Sequence, residues 1–276
     1  MSFSSTEGSD RKVPDRLMTL ITSLSEARDF LAKIYKDDRL RIVALTGAGI
    51  STESGIPDFR SPGGIWSRRQ PVQYQDFITS EDARLEDWDR RFEMIDFFEK
   101  SEPNAAHEAL TLLAQEDRLT CLITQNVDGL HQTAGFPEDR LIEIHGNSTF
   151  ATCLECGRRA GLEALRAEVE AARSPRCDAC GGLLKAAVIS FGQQMPEAKL
   201  ERAVQAAREC DLFLVLGSSL VVHPAAQLPA VAVRSGAGLV ILNGQETPLD
   251  SLATTVIRTP LAQTFANFGE EIEQNL

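Results

Sequence analysis

Two Cys-x-x-Cys pairs are the residues of this chain whose types and spacing indicate a chemical role most clearly. They are Cys153–Cys156 and Cys177–Cys180, separated by residues 157–176. Four thiolates at this spacing can close a tetrahedral shell around one Zn²⁺, and a closed shell serves structure rather than catalysis. The sequence therefore predicts a structural zinc site held by all four of these cysteines.

Polar side chains follow apolar runs that have the character of buried parallel strands. Thr124-Gln125-Asn126-Val127-Asp128 comes directly after the run 119–124, and His145 ends the run 141–144. Side chains at the carboxyl ends of parallel strands face the ligand crevice, so a reaction centre is expected there. An Asx turn that opens the next helix is the alternative interpretation of the Gln125–Asp128 segment.

The four histidines differ in their position relative to these runs. Histidine is the usual general base near neutral pH, and His145 stands at a strand end where a base must sit. His131 is the next candidate. His107, within a helical pattern, and His223, before Pro224, are interpreted as structural residues.

Small residues follow three other apolar runs. The run 41–46 leads into Gly47-Ala48-Gly49, which would let a backbone approach a pyrophosphate, although a plain tight turn explains the glycines equally well. Gly217-Ser218-Ser219 follows the run 211–216, and Asn243 ends the run 238–243. Hydroxyl and amide groups at such strand ends can bind ribose or phosphate, or serve as turns and caps.

Residues 56–80 contain several prolines and glycines and are predicted to form one long functional loop. Within it, Asp58-Phe59-Arg60 has two interpretations. It could be an exposed ion pair beside a core aromatic residue. It could instead be a lid over a cofactor, in which Arg60 binds phosphate and Phe59 excludes water.

The remaining periodicity predicts an α/β fold with a doubly wound parallel sheet, because strand-like runs alternate with helical ones. The predicted elements comprise strands at 41–46, 119–124, 141–144, 188–191, 211–216 and 238–243, and helices at 17–35, 81–101, after Pro103, and at 162–172, 197–209, 224–234 and 261–273.

Composition excludes several classes of function. The net charge of −12 disfavours contact with nucleic acid or anionic membranes, and no apolar stretch reaches 18 residues. The first twenty residues lack the apolar segment of a signal peptide, so a cytoplasmic location is expected. In that reducing compartment, paired cysteines indicate a metal site rather than disulfides.

Taken together and in this order, these segments resemble the sirtuin (Sir2-type) family over most of the chain. The matching segments are Gly47-Ala48-Gly49-Ile50-Ser51, Gly55-Ile56-Pro57-Asp58-Phe59-Arg60, Thr124-Gln125-Asn126-Val127-Asp128-Gly129-Leu130-His131, Glu143-Ile144-His145-Gly146-Asn147, the four cysteines, Phe191-Gly192, Gly217-Ser218-Ser219-Leu220-Val221-Val222 and Ile241-Leu242-Asn243.

The resemblance implies an NAD-dependent protein-lysine deacylase that acts on acylated-lysine proteins. It implies a Rossmann-type NAD-binding domain formed by 16–150 and 188–276, after a disordered tail at 1–15. A zinc-binding module at 151–187 would be inserted, joined by part of 56–100.

The resemblance also assigns roles to single residues. His145 and Asn126 would be catalytic, and Ile189, Phe191, Gly192 and Val222 would line the acyl-lysine channel. The cofactor-binding residues would be Gly47, Ala48, Gly49, Asp58, Phe59, Arg60, Gln125, Asn126, Asp128, Gly217, Ser218, Ser219 and Asn243.

In the implied reaction, nicotinamide is displaced from the ribose by the acyl oxygen, and His145 helps deprotonate a ribose hydroxyl. The products would be the free lysine, nicotinamide and O-acyl-ADP-ribose. Protein mono-ADP-ribosylation remains an alternative enzyme activity, and an NAD-responsive binding module remains an alternative of another class.

Three departures from the family pattern concern the substrate side. The segment Lys185-Ala186-Ala187-Val188 lacks a proline that is frequent there, and Gln193 replaces an acid. The segment Trp88–Phe92 has no Tyr-x-x-Arg pair of the kind that clamps acidic acyl groups. An unpaired carboxylate in an apolar channel is costly. Acetyl or longer apolar acyl groups are therefore expected to be preferred, unless Arg68, Arg69 or the pair Arg90–Arg91 reaches the channel.

Overall fold

A computed structural model describes residues 18–58 and 70–269. The strands within these ranges are β1 (Thr19–Ile21), β2 (Ile42–Thr46), β3 (Leu119–Thr124), β4 (Leu141–Glu143), β5 (Gly146–Cys153), β6 (Arg159–Ala160), β7 (Leu184–Val188), β8 (Leu212–Leu216), β9 (Gly238–Leu242) and β10 (Thr255–Ile257). The α-helices there are α1 (Leu24–Lys36), α2 (Tyr74–Thr79), α3 (Glu81–Phe98), α4 (Ala105–Gln115), α5 (Leu130–Thr133), α6 (Leu162–Glu170), α7 (Glu197–Glu209), α8 (Leu228–Arg234) and α9 (Leu261–Thr264).

Seven of the strands form one parallel sheet in the order β1-β10-β9-β8-β2-β3-β4. β2 lies near the middle, and all five of its residues are buried because helices cover both faces of the sheet. Its side chains alternate between two cores: Ile42 and Ala44 join one, and Val43 and Leu45 join the other. The predicted doubly wound α/β sheet is confirmed.

A second, antiparallel sheet of three strands has the order β6-β5-β7. Cys153 of β5 lies opposite Leu184 of β7, and Gly146 at the other end lies opposite Val188. A third core cluster joins this sheet to the helices α2, α3 and α6 through Phe77, Trp88 and Leu165. The four cysteines are therefore carried by a small layer of their own beside the parallel sheet.

Several predicted boundaries are wrong. The helix predicted from residue 17 begins at Leu24, because residues 19–21 pair with β10 as an edge strand. The strand predicted at 188–191 lies at Leu184–Val188, where pairing with β5 fixes it.

Further differences concern segments that carried weak periodicity. Part of the loop predicted at 56–80 forms α2, and the helix predicted at 261–273 is interrupted after Thr264, with helical backbone again at 268–269, where the described residues end. β5, β6 and β10 were not predicted. The predicted disordered tail at 1–15 lies outside the described residues.

Candidate active site and metal centre

The carboxyl ends of β2, β3 and β8 meet at one edge of the sheet. The backbone N–H of Gly47 donates to Leu216 O at 3.0 Å, and that of Gln125 donates to Thr46 O at 3.0 Å. The N–H of Gly217 in turn donates to Leu242 O at 2.9 Å. The expected gathering of polar strand ends is therefore present, with Gly47, Gln125 and Gly217 linked through backbone hydrogen bonds.

The glycines at this edge are required by the approach of two loops. A Cβ atom on Gly49 would lie 2.8 Å from the Cα of Gly217, and a Cβ atom on Gly47 would lie 2.8 Å from the carbonyl oxygen of Gly217. Gly217 itself has φ of +64°, and a Cβ there would lie 2.3 Å from the backbone nitrogen of Ile50. The loops after β2 and β8 thus form one compact backbone cradle that no side chain can enter.

The side chain of Asn126 is buried and oriented by this cradle. Its Nδ2 donates to Gly47 O and to Ser51 Oγ, each at 3.2 Å. Because both bonds use the amide nitrogen, the carbonyl oxygen Oδ1 points away from these two partners. Asn126 can therefore present a fixed acceptor to a ligand.

Asp128 uses its two carboxylate oxygens for different partners. Oδ2 accepts from Ser51 Oγ at 2.8 Å, and Oδ1 accepts from the backbone N–H of Leu130 at 3.0 Å, which starts α5. The Asx-turn interpretation is therefore correct for this residue, and it coexists with a place beside Asn126. Burial raises the pKa of Asp128 above its ordinary value.

Ser51 is the residue of this site that the sequence did not single out. Its hydroxyl donates to Asp128 and accepts from Asn126, so it joins the loop after β2 to the loop after β3. Its place at the end of the Gly47–Ser51 segment was the only available signal.

The ring nitrogen Nδ1 of His145 faces a backbone carbonyl group. Its Nδ1 lies 3.1 Å from the carbonyl oxygen of Gln125. A carbonyl oxygen only accepts, so Nδ1 carries the proton and the lone pair is on Nε2. Gln125 also donates from Nε2 to Ser218 Oγ at 2.7 Å, which ties the histidine to the loop after β8. His145 therefore has the tautomer that a general base needs.

A second set of bonds brackets His145 along the chain. Glu143 Oε1 accepts from Asn147 Nδ2 and from Gln132 Nε2, both at 2.6 Å. Between them, Gly146 has φ of +84°, and a Cβ there would lie 2.0 Å from Ala187 O. The segment Glu143–Asn147 is thus held as a rigid turn, and the structural roles of Glu143 and Asn147 were not predicted.

The other described histidines near the site are buried and neutral. His131 is only 1% exposed, and its Nε2 lies 3.0 Å from Thr46 Oγ1. Burial and the nearby His107 hold the pKa of His131 well below its ordinary value, and burial lowers that of His107 to about 4. His131, the second candidate for the base, lies within the core, and His107 is structural as expected: its ring forms a capping box with Asn104.

The residues expected in the acyl channel begin beside His145. The backbone N–H of Ile189 donates to His145 O at 2.8 Å, and Phe191 O accepts from the N–H of Tyr74 at 2.8 Å. Gly192 is exposed, and Val222 is half-buried in the loop after β8. Ile189 is thus joined directly to the histidine, whereas Val222 belongs to a different loop.

The remaining predicted cofactor residues lie at the margin of the cradle. Ala48, Ser219 and Asp58 are half-buried, and the side chain of Asn243 donates to Gln245 O at 2.9 Å at the end of β9. Phe59 and Arg60 lie outside the described residues, and so do Arg68 and Arg69.

The four cysteines form one cluster whose sulfur atoms all lie within 4.8 Å of one another. Cys153 Sγ and Cys180 Sγ are 3.5 Å apart, and Cys156 Sγ and Cys177 Sγ are 3.7 Å apart. A tetrahedral zinc–thiolate site with bonds of about 2.3 Å requires sulfur atoms about 3.8 Å apart. Backbone N–H groups, chiefly that of Cys156, lower the pKa of Cys153 to about 7, which favours the thiolate that a metal binds. The cluster fits Zn²⁺.

Proteins of known function resemble this chain over most of its length. An NAD-dependent protein deacetylase of Rhodopseudomonas palustris is 48% identical over 228 residues, which cover 82% of this chain and 90% of that protein. One of Thermodesulfovibrio yellowstonii is 46% identical over 215 residues, covering 78% of this chain and 83% of that protein.

Solved structures agree with the sequence relatives. A Sir2 enzyme with a p53 peptide and NAD+ has a TM-score of 0.78 and 37% identity, and covers 88% of this chain and 97% of its own. Another, with deacetylated p53 peptide and 3'-O-acetyl ADP ribose, has a TM-score of 0.80, 36% identity and the same coverage. Residues 47–224 match the Sir2 family, and the chain belongs to that family.

Proposed function

We propose that this protein removes acyl groups, preferentially acetyl, from lysine side chains of proteins in an NAD-dependent reaction that releases nicotinamide and O-acyl-ADP-ribose. The observation that carries the proposal is the hydrogen bond from His145 Nδ1 to Gln125 O, since a proton on Nδ1 makes Nε2 the basic nitrogen of a histidine at the carboxyl edge of the sheet. Relatives that are 48% and 46% identical are NAD-dependent protein deacetylases, which supports the same chemistry here.

The backbone cradle and the polar groups beside it fit NAD. Gly47, Gly49 and Gly217 let the loops after β2 and β8 pack against each other at the carboxyl edge of the sheet, where a pyrophosphate would lie against the main chain of these loops. Gln125, Asn126 and Asp128 would hold the nicotinamide and its ribose, and Ser218, Ser219 and Asn243 the phosphate and adenosine side. Ala48, Asp58, Phe59 and Arg60 would complete the site. NAD would supply the ribose carbon that the acyl oxygen attacks and the ribose hydroxyl that carries the acyl group in the product.

His145 has the proton-transfer role in this proposal. Nε2 accepts a proton from a ribose hydroxyl, and the Gln125 carbonyl stabilises the imidazolium that results because it already accepts from Nδ1. Asn126 acts as a positioned acceptor rather than as a base, since its Nδ2 is committed to Gly47 and Ser51. One group thus moves the proton while the other fixes the orientation of the ligand.

The acyl-lysine would enter beside Ile189, Phe191, Gly192 and Val222. Ile189 lies next to His145 through its backbone bond, so an acyl group against Ile189 would be close to the base. Related Sir2 structures contain p53 peptides, and another was solved with a propionylated peptide. We infer that an extended peptide is held here between the segments at 191–192 and 221–222.

The zinc ion would have a structural role, held by Cys153, Cys156, Cys177 and Cys180. The four sulfur atoms leave no open coordination position, so the metal supplies stability and no chemistry to the reaction. We place the boundary of this module at 151–187, inserted between 16–150 and 188–276. The helices α2 and α3 lie within 16–150 but share one apolar cluster with the small sheet, which supports joining part of 56–100 to the module.

The partners proposed are acylated-lysine proteins, without direct contact to nucleic acid, which the charge of −12 disfavours. None of the described helices is long and apolar enough to cross a membrane. A cytoplasmic location is proposed from the cysteines, because all six are free thiols and the metal cluster needs them reduced.

The deciding experiment incubates the protein with NAD and acetyl-lysine peptides and identifies the products by mass spectrometry. Loss of the acetyl mass together with O-acetyl-ADP-ribose supports the proposal. A gain of one ADP-ribose on the peptide or on a protein acceptor would indicate mono-ADP-ribosylation instead. Absence of nicotinamide release would indicate a binding module.

A further inference from the structure

Lys185 is a buried amine that the proposed reaction does not use. Its side chain is 1% exposed, and it is the only lysine among the described residues that is buried. It lies within the apolar layer under the small sheet, 5.9 Å from the ring centre of Phe77. Burial, together with the charge of Arg91, lowers the pKa of Lys185 to about 7, and Asp87 opposes that shift. An amine in such a place is retained only if its donors are satisfied.

The amine of Lys185 donates its hydrogen bonds to carbonyl groups of the strand that carries it, β7. Nζ donates to the carbonyl oxygen of Val188 and, at 3.4 Å, to that of Ala186. The nearby carboxylate of Asp87 is engaged with Arg91, whose Nε lies 2.9 Å from Asp87 Oδ2. The bonds of Lys185 therefore act on β7 rather than forming a salt bridge of their own.

Val188 is the residue at which β7 leaves the small sheet and reaches the active site. It pairs with Gly146 of β5, the residue directly after His145. The next residue, Ile189, donates its N–H to His145 O at 2.8 Å. The backbones of Gly146 and β7 also lie too close for a side chain at position 146, since a Cβ there would lie 2.0 Å from Ala187 O.

We propose that Lys185 is a positioning residue that fixes the end of β7, and with it Ile189, relative to His145. The inference rests on the proposed function and names a further residue that the reaction needs. Without the bond to Val188 O, the segment 188–190 could shift by a fraction of an ångström. An acyl-lysine held against Ile189 would then be misaligned with the base, while the NAD cradle on the other side of His145 would be unchanged.

Lys185→Met is the principal variant, because methionine fills a similar volume and lacks the amine that donates the hydrogen bonds. We expect kcat/KM for an acetyl-lysine peptide to fall about 10–100-fold through a raised peptide KM and a lowered kcat. The Kd for NAD and one zinc per chain should be retained. Lys185→Arg keeps the donors and should recover most of the peptide kcat/KM.

The matched control is Leu165→Ala, a truncation in the same apolar cluster that removes no hydrogen bond of β7. It should lower the melting temperature while the folded enzyme keeps its peptide KM. Peptide kinetics of Lys185→Met within twofold of the parent, or a peptide KM raised equally by Leu165→Ala, would overturn the proposal. Should Lys185→Met lose zinc, Lys185→Leu replaces it because leucine also lacks a donor, and parent-like kinetics of zinc-loaded Lys185→Leu would overturn the proposal as well.

The parent protein separates this inference from the proposed function. If the parent protein releases no nicotinamide with NAD and an acetyl-lysine peptide, both the proposed function and the positioning role of Lys185 are wrong. If the parent protein and the Lys185→Met variant deacetylate the peptide equally well, only the positioning role of Lys185 is wrong.

Discussion

The ring nitrogen Nδ1 of His145 lies 3.1 Å from the backbone carbonyl oxygen of Gln125. A main-chain acceptor cannot be protonated at neutral pH or rotate away from its own strand, so it fixes both the tautomer and the ring orientation of the histidine. The same residue reaches Ser218 with its side chain. The position of the base is thereby coupled to the two loops that form the cradle.

His145→Ala is expected to lower deacetylation by about 10²–10⁴-fold, which is the usual contribution of a positioned general base. The affinity for NAD should change little, because the cradle is built from Gly47, Asn126 and Gly217. Initial rates with a saturating acetyl peptide, together with calorimetric NAD binding, measure the two effects. Near-normal turnover in this variant would move the base to another residue.

Gly49→Ala is expected to destabilise the protein by about 1–3 kcal/mol, since the new methyl would overlap Gly217. NAD affinity should fall at the same time because the loops after β2 and β8 would separate. Chemical denaturation followed by circular dichroism gives the free energy of unfolding. Gly244→Ala is the control for stability, as a Cβ at that position meets open space; equal stability of the two variants would contradict the overlap.

Metal analysis should give one zinc per chain, and Cys177→Ala should lose it together with the small sheet. Cys121→Ala is the matched control, because Cys121 lies in β3 and outside the cluster. Inductively coupled plasma mass spectrometry on both variants decides the point. Stoichiometric zinc in Cys177→Ala would show that the cluster does not hold the metal.

Acetyl-lysine peptides should exceed succinyl-lysine peptides in kcat/KM by orders of magnitude. Arg90 and Arg91 are engaged by Glu86 and Asp87, so neither is a free partner for a carboxylate in the channel. Burying an unpaired carboxylate costs several kcal/mol. A butyryl peptide, similar in length and uncharged, is the control. Succinyl turnover equal to butyryl turnover would mean that an arginine, Arg68 or Arg69 included, does reach the channel.

Stability should fall as the pH is lowered from about 6.5 towards 4. The pKa of His107 is lowered to about 4 by burial, whereas in the unfolded chain it is about 6.5. The unfolded state therefore binds more protons in this window, and up to about 3 kcal/mol is lost across it. Asp128 acts in the opposite sense, since its pKa is raised.

The contribution of His107 can be isolated by difference. The free energy of unfolding is measured for the parent and for His107→Gln at about pH 7 and about pH 5. Both proteins share the same carboxylates and cysteines, so only the histidine differs. The loss between the two pH values should be smaller in the variant. Equal losses would show that His107 is not the titrating group.

The sequence located the parts of the site that depend on local pattern. Strand ends followed by Gly47, Gln125 or Gly217 could be recognised because buried parallel strands appear as continuous apolar runs. The cysteine cluster could be recognised because its spacing is local in each pair. Apolar residues continue on both sides of Val188, so residue types alone do not mark where β7 lies, and the predicted strand at 188–191 was misplaced. Pairing with β5 fixes the strand at Leu184–Val188.

Residues that act across the fold were not predictable in this way. Ser51 meets Asp128 across 77 positions of sequence, and a lone serine has many other uses. His131 was a plausible base by position, yet packing against Thr46 and His107 places it in the core. Burial of a polar side chain depends on partners from several segments, and one sequence does not reveal them.

The pairing of β2 has a consequence for the order of folding. Ile42 lies next to Leu212, so one side of the central strand is completed by residues about 170 positions later in the chain. The small sheet pairs Gly146 with Val188 and can close over a much shorter loop. During synthesis, the cysteine-bearing module can therefore assemble and load zinc before the central strand is paired on both sides. The exposed flank of β2 is then open to non-native pairing until β8 emerges from the ribosome.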